Sequence, residues 1–371
     1  MELLDYVEWR GDLDFDSSPL NPVDALIFCQ LSYLNFDGIL QKDFSSSVTL
    51  NQCASMFVAD NFETRRDLGL LINPKTVDLL FACASSVRFG KLLLSGYVNK
   101  YSLTHEEQFS ALTFFYESKN KKSSFAFVSF RGTDDTIIGW KEDFNLAFKE
   151  NIPAQKDALS YLTESSASFK KAAVYCGGHS KGGNLAIYAG AFLNKKYQPN
   201  LKTIYNFDGP GFLKETLEKD EFKSALKKTE SFFPQGSTVG MIFEHDKKKY
   251  SVVKSDGVLM MQHDAFTWKT APQNFELMEE LEKSSLFFNE TFNQWFVQLP
   301  EHRREEFVET LFGVLESTQA ETNSQLAENW IKNGGKIIKA FAKLDKEIRS
   351  SALDTASQFI RLARHKIPEL F

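Results

Sequence analysis

The chain has 371 residues, 43% of them hydrophobic, and a formal net charge of −6, which suffices for one large domain with an extension or for two modest ones. The acidic balance excludes a nucleic-acid binder as a whole, and the scattered cysteines Cys29, Cys53, Cys83 and Cys176 form no C-x-x-C pair, so buried free thiols and no metal site are expected. The first residues, Met1-Glu2-Leu3-Leu4-Asp5-Tyr6, are acidic where a secretory signal is basic, and no run reaches the roughly 18 apolar residues of a membrane span, so the expectation is a cytoplasmic protein.

Residues 1–95 read as mainly helical. Pro22 to Leu34 places Ala25, Phe28, Leu31 and Leu34 near one face behind the start signal Asn21-Pro22, and Thr76 to Phe89 repeats the pattern after Asn73-Pro74. Two strand patterns, Phe109 to Glu117 and Ser124 to Phe130, flank a polar turn and predict a hairpin, and the second runs into Arg131-Gly132-Thr133-Asp134-Asp135. Ala172 to Ala189 then reads strand, glycine-rich turn, helix, and strand patterns follow at Thr203 to Phe207, Ser237 to Phe243 and Tyr250 to Lys254.

Strands alternating with helices predict an α/β fold with a mostly parallel, doubly wound sheet, in which functional residues gather at the carboxyl ends of the strands. Composition changes near residue 271. The stretch 271–371 shows no strand pattern and reads as a helical C-terminal extension of the domain 1–270, with one helix marked by Leu277, Leu281, Phe288, Phe292, Trp295 and Leu299 and another by Trp330 to Ile348. The second carries Lys332, Lys336, Lys339, Lys343 and Lys346 opposite its apolar stripe. Residues 330–349 therefore offer a peripheral membrane contact, against the plainer alternative of packing on the domain or on a second subunit of a homo-oligomer.

Inside the glycine-rich turn lies Gly178-His179-Ser180-Lys181-Gly182, a G-x-S-x-G nucleophile elbow in the strand–turn–helix context that the motif requires. Ser180 sits at a helix start, where backbone N–H groups and the positive end of the helix favour a developing negative charge. A serine hydroxyl needs a base, and the base needs an acid to fix its tautomer. Of six histidines, His263 follows the last strand of the alternating region, where a base belongs in the chain order serine, acid, histidine; His245 beside three lysines reads as exposed, and His179 as turned away into supporting packing.

Two carboxylates compete for the third role. Asp208, made rigid by its Gly-Pro-Gly sequel, is preferred on rigidity, and Asp246 after the next strand is preferred on usual topology; Glu244 and Asp264 rank behind both. Two donors are needed for an oxyanion. They are assigned to the N–H of Lys181 and to Thr133, by its N–H and its hydroxyl, with an ion pair from Arg131 to Asp143 holding the loop.

The ordered landmarks Phe130-Arg131-Gly132-Thr133, Trp140, Asp143 and Gly178 to Gly183 resemble those of the fungal-type (class 3) lipases, and Asn206-Phe207-Asp208-Gly209-Pro210-Gly211-Phe212 is similar to the acid loop of pancreatic-type lipases. As a whole the chain resembles a bacterial lipase-like family defined mainly as a domain of unknown function, sharing Gly-His-Ser-Lys-Gly-Gly-Asn, Asp-Gly-Pro-Gly and Gln-His-Asp. The resemblance covers about residues 20 to 270. It implies an α/β-hydrolase fold, Ser180 as nucleophile, His263 as base, and Thr133 with Lys181 around the oxyanion. Lys181 departs from the lipases, which carry an apolar or amide residue there, and points either to an anionic substrate or to a solvated lysine.

The expected activity is hydrolysis of a carboxylic ester of a small molecule or lipid through an acyl-enzyme, with no cofactor. The alternatives are a catalytically silent scaffold acting through the C-terminal helices, and an acyltransferase or thioesterase.

Overall fold

The structure is a computed structural model that describes residues 1–59, 61–102, 104, 107–120, 123–134, 136–145, 152–245, 250–320, 322, 325 and 330–366. One sheet holds β1 (Val48–Thr49), β2 (Leu93–Ser102), β3 (Glu107–Tyr116), β4 (Phe125–Phe130), β5 (Ala173–His179), β6 (Leu201–Phe207), β7 (Thr229–Pro234), β8 (Tyr250–Val253) and β9 (Leu277–Met278), in that spatial order. β4 to β8 are parallel, and β1 to β4 and the β8–β9 pair are antiparallel. The β3–β4 hairpin falls where the sequence places it.

The fold class is the expected α/β sheet, parallel at its centre and covered on both faces. Its strand order contains no reversal, so the two helical layers have different origins. Helices Pro153–Ser168 and Lys181–Phe192 connect successive parallel strands and share one core with Val128, Phe130, Val174, Cys176 and Ile204. The N-terminal helices Pro22–Leu31 and Lys75–Ser85 share the other with Phe125, Phe127, Tyr205 and Phe207. Alternate side chains of each strand feed opposite layers, which is why β4, Phe-Ala-Phe-Val-Ser-Phe, is apolar almost throughout and buried at every position. Phe28 links helix to sheet, its ring 4.7 Å from Phe114 and 5.0 Å from Phe127.

Helix Pro22–Leu31 starts as its sequence signals. The Asn21 side chain accepts from the N–H groups of Val23 and Asp24, and Asp24 accepts in return from the Asn21 N–H. Asp24 has a second duty. Arg88, fully buried beyond the end of helix Lys75–Ser85, donates to both of its carboxylate oxygens and also to the carbonyls of Leu13, Ser18 and Pro19. That cluster ties the first 20 residues to the helical layer. All four cysteines are buried free thiols, as expected.

Three local expectations are corrected. Ser237 to Phe243 is a turn, and the strand of that region is β7, Thr-Glu-Ser-Phe-Phe-Pro, whose charged and hydroxyl-bearing positions at the start hide its period. The turn is required because Gly240 lies against Asp208, where a Cβ would overlap the carboxylate. Beyond residue 271 there is strand after all, since Leu277–Met278 pairs with Val252 and Val253. The helix expected over Trp330 to Ile348 is two helices, Trp330–Lys343 and Lys346–Lys366.

The C-terminal helices Lys283–Gln298 and Glu301–Glu316 bring Trp295, Phe296, Val308 and Phe312 into the core of the crossover layer. Of the lysines in the basic stripe, Lys336 donates to the Thr318 carbonyl at 2.6 Å, while Lys339 and Lys343 are exposed. No helix among the described residues is long and apolar enough to cross a membrane.

Candidate active site

The strand β5 ends in Gly177-Gly178-His179, and Lys181 opens the next helix, so the chain must reverse at Ser180. It does so with φ 57° and ψ −135°, a conformation that is costly for a residue with a side chain. The flanking glycines make the turn possible. A Cβ on Gly178 would overlap the backbone of Gly182, and one on Gly182 would overlap the Phe130 carbonyl. The Ser180 N–H donates to Phe207 O at 2.9 Å, which pins the turn to the end of β6.

One residue past β6 stands Asp208, fully buried and also at positive φ, 49°. Its loop is held from both sides: the Asp208 N–H donates to Phe232 O at 2.9 Å, and the Asn184 amide of the elbow helix donates to the carbonyls of Pro210 and Gly211 at 3.2 and 2.9 Å. One carboxylate oxygen lies 2.6 Å from His263 Nδ1, and the other accepts the Ser237 hydroxyl. A carboxylate only accepts, so Nδ1 carries the proton and Nε2 is left unprotonated in the neutral ring.

His263 ends a short 3-10 turn, Leu259–His263, and its side chain is 24% exposed. Its backbone is fixed by His179, whose Nε2–H donates to the His263 carbonyl at 2.8 Å while the Tyr33 hydroxyl lies 3.2 Å from Nδ1. The two imidazole rings are 4.5 Å apart. Trp268 Nε1–H donates to the neighbouring Gln262 carbonyl at 2.8 Å, and Asn73 holds Asp264 at 2.6 Å. Asp264 is thereby engaged away from the histidine.

The structure therefore brings Asp208 and His263 into contact at the sheet edge that carries Ser180. Among the described residues no hydrogen bond joins the Ser180 hydroxyl to the His263 ring; the link between them is His179, adjacent to Ser180 in the chain, whose ring is tilted by 32° to that of His263. Asp246 lies outside the described residues. Glu244 pairs its backbone with Phe212 on the far side of the acid loop.

The loop after β4 lies against the elbow, since a Cβ on Gly132 would stand 3.0 Å from Ser180 Cβ. Its next residue, Thr133, donates its hydroxyl to Asp143 at 2.5 Å, which commits that hydroxyl. Arg131 pairs with Asp134 at 2.9 Å and with the Asn99 side-chain oxygen at 3.2 Å, rather than with Asp143. A three-residue reach within the loop is shorter than the path to the helix Ile137–Asn145.

Lys181 departs from both expectations. Its side chain is fully buried and points beneath the elbow, where Nζ donates to Glu142 at 2.9 Å and to the Gln108 side chain and carbonyl at 2.9 and 3.0 Å. It is neither solvated nor aimed at a substrate. His245 is half-buried, edge-on to Phe233 at 4.9 Å, and not exposed. Among the described residues no group of acids, histidines or cysteines is arranged to hold a metal.

The partner of His179, Tyr33, escapes the sequence because it is 146 residues away. Burial, and then the neighbouring His263, push the His179 pKa from 6.5 down to about 3, and burial pushes His245 down to about 4. Between those values and 6.5 the unfolded chain binds protons that the folded chain refuses. Stability is thus complete above pH 6.5 and is lost as the pH falls, by about 2 kcal/mol for each histidine at pH 5. Asp143, pushed up to about 6 by burial, works in the opposite sense between about 4 and 6 and offsets part of the loss. Urea midpoints are expected to drop from pH 7.5 to pH 5, and to drop less in His179→Gln; equal midpoints at the two pH values would contradict the burial of uncharged imidazoles.

A sheet parallel at its centre, whose central strand ends in a strained serine turn, with helices on both faces, defines a lipase-like α/β-hydrolase fold. Residues 83–313, more than half of the chain, match the model of the Mbeg1-like family, and the chain belongs to that family. Among solved structures it is similar to M37 lipase, at 15% identity over 58% of this chain and 68% of that one, with a TM-score of 0.34. The comparison with curated proteins finds no match.

Proposed function

We propose that this chain is a serine hydrolase that cleaves carboxylic esters through an acyl-enzyme, with Ser180 as nucleophile, His263 as base and Asp208 as the orienting acid. The observation that carries the reading is the 2.6 Å contact between Asp208 and His263 Nδ1, which leaves Nε2 free to take a proton at the edge of the sheet where the Ser180 turn lies.

In this reading Ser180 Oγ attacks the carbonyl carbon while Nε2 takes the hydroxyl proton. The negative charge that forms on the carbonyl oxygen is met by the N–H groups of Lys181 and Thr133. Collapse expels the alcohol, which leaves with the proton from His263, and Ser180 remains acylated. Water then attacks the acyl carbon and gives its proton to Nε2; collapse breaks the acyl–Oγ bond, Nε2 returns that proton to Ser180 Oγ, and the carboxylic acid leaves. The substrate is an acyl ester of a small molecule or lipid, and the chemistry calls for no cofactor.

A fluorophosphonate tests this directly. One equivalent is expected to attach to Ser180 in the wild type and none in Ser180→Ala. Absence of labelling in folded wild-type protein, or equal labelling of the variant, would overturn the proposal.

A further inference from the structure

A buried ion pair seldom repays its desolvation as a source of stability, and apolar side chains of similar volume often do as well or better. The one beneath the elbow therefore calls for another reason. Lys181 and Glu142 are both 0% exposed. The ammonium directs its donors to Glu142 Oε2, Gln108 Oε1 and Gln108 O, while Glu142 also accepts the N–H groups of Gln108 at 3.2 Å and Ala154 at 3.1 Å. Four elements meet on this one ion pair: the elbow helix, the start of β3 and the helix Ile137–Asn145 at the cation, and the first turn of Pro153–Ser168 through the Ala154 N–H on Glu142.

The neighbour of Glu142 extends the chain of contacts. Asp143 Oδ1 stands 3.9 Å from Lys181 Nζ and has no hydrogen-bond donor among the described residues, while Asp143 Oδ2 holds the Thr133 hydroxyl at 2.5 Å. Contacts thus run without a gap from the residue supplying one oxyanion donor, Lys181, to the residue supplying the other, Thr133. The groups facing Asp143 are the Lys181 cation, which favours its charged form, and Glu142 and Asp134, which oppose it. Removing the cation would leave two acids side by side.

We propose that the Lys181 side chain is a positioning group that locks the Thr133 loop to the elbow and so sets the spacing of the two oxyanion donors. The proposal rests on the ester-hydrolase reading. The cation keeps Asp143 ionised, and a charged carboxylate holds the Thr133 hydroxyl more firmly than a neutral acid does.

The test compares the wild type with Lys181→Met and with the double variant Lys181→Met/Glu142→Leu, which removes the stranded acid so that the protein folds. On p-nitrophenyl butyrate, both variants are expected to lose about 10- to 100-fold in kcat with KM changed by less than about 3-fold. In the single variant the acid limb of kcat is expected to move up by about one pH unit, because Asp143 loses its cation. The double variant is expected to regain thermal stability without regaining kcat. A double variant with kcat within about 2-fold of wild type would overturn the proposal, as would a loss confined to KM.

A second readout needs no turnover. Hydrogen exchange over 131–145 is expected to quicken in both variants while helix Pro22–Leu31 is unchanged, and unaltered exchange over 131–145 would overturn the lock. If exchange responds but the wild type neither turns over ester nor takes up fluorophosphonate, the hydrolase reading fails and the lock stands.

Discussion

Asparagine in place of Asp208 is expected to cut ester turnover by about 10⁴-fold while leaving the protein folded. The carboxylate is fully buried and accepts the Ser237 hydroxyl on one oxygen and the His263 Nδ1–H on the other. An amide keeps the shape but offers a donor where an acceptor stood. The imidazole then turns its unprotonated nitrogen toward the new amide N–H and its own N–H toward Ser180, so the base is presented in the wrong tautomer. Asparagine tolerates the positive φ of 49° well, so the loop itself need not move. Steady-state kcat with a thermal melt is the measurement, and Asp246→Asn is the control. Turnover within about tenfold of wild type in Asp208→Asn, with a collapse in Asp246→Asn, would transfer the role to the other carboxylate.

Replacing Arg88 by methionine is expected to cost about 3–5 kcal/mol of stability, the largest loss from any single polar side chain of the N-terminal layer. The guanidinium is fully buried, contacts both oxygens of an equally buried Asp24, satisfies three backbone carbonyls, and lies 4.0 Å over the Phe15 ring. Methionine fills much of the volume but leaves Asp24 charged or protonated without its cation, and leaves the carbonyls of Leu13 and Ser18 without a donor. Tyr6 and Asn21, which also bond around Asp24, cannot replace a charge. Urea unfolding at pH 7.5 reads the loss, and Asp24→Asn combined with Arg88→Met is expected to recover part of it. A midpoint unchanged in Arg88→Met would show that the cluster is slack.

Such clusters mark where a sequence stops being informative. The elbow is legible in Gly178-His179-Ser180-Lys181-Gly182 because its cause is local: five consecutive residues meet the steric demands of one tight turn, and the glycines sit where a Cβ would strike backbone. Helix Pro22–Leu31 is legible for the same reason, its cap and first turn lying within four residues. The strand β7 is not, since Thr229 and Glu230 break its apolar period and only pairing with β6 and β8 makes it a strand. Nor is the turn at Ser237 to Phe243, whose β-like composition yields to the close approach of Gly240 to Asp208.

What the sequence determined alone was an α/β sheet, the place where its chain turns sharply on a serine, and a short list of acids and histidines that could serve there; each follows from spacing over a few residues. Which members of that list meet was decided by the tertiary structure. Asp208 and His263 are 55 residues apart and touch because parallel strands deliver their loops to one edge. Lys181 looks like a surface residue in its own segment and is buried because Glu142, 39 residues earlier, is carried beneath it by a separate helix. A charge can be taken out of water only where a partner from elsewhere in the chain waits for it, and that partner is invisible to any local reading.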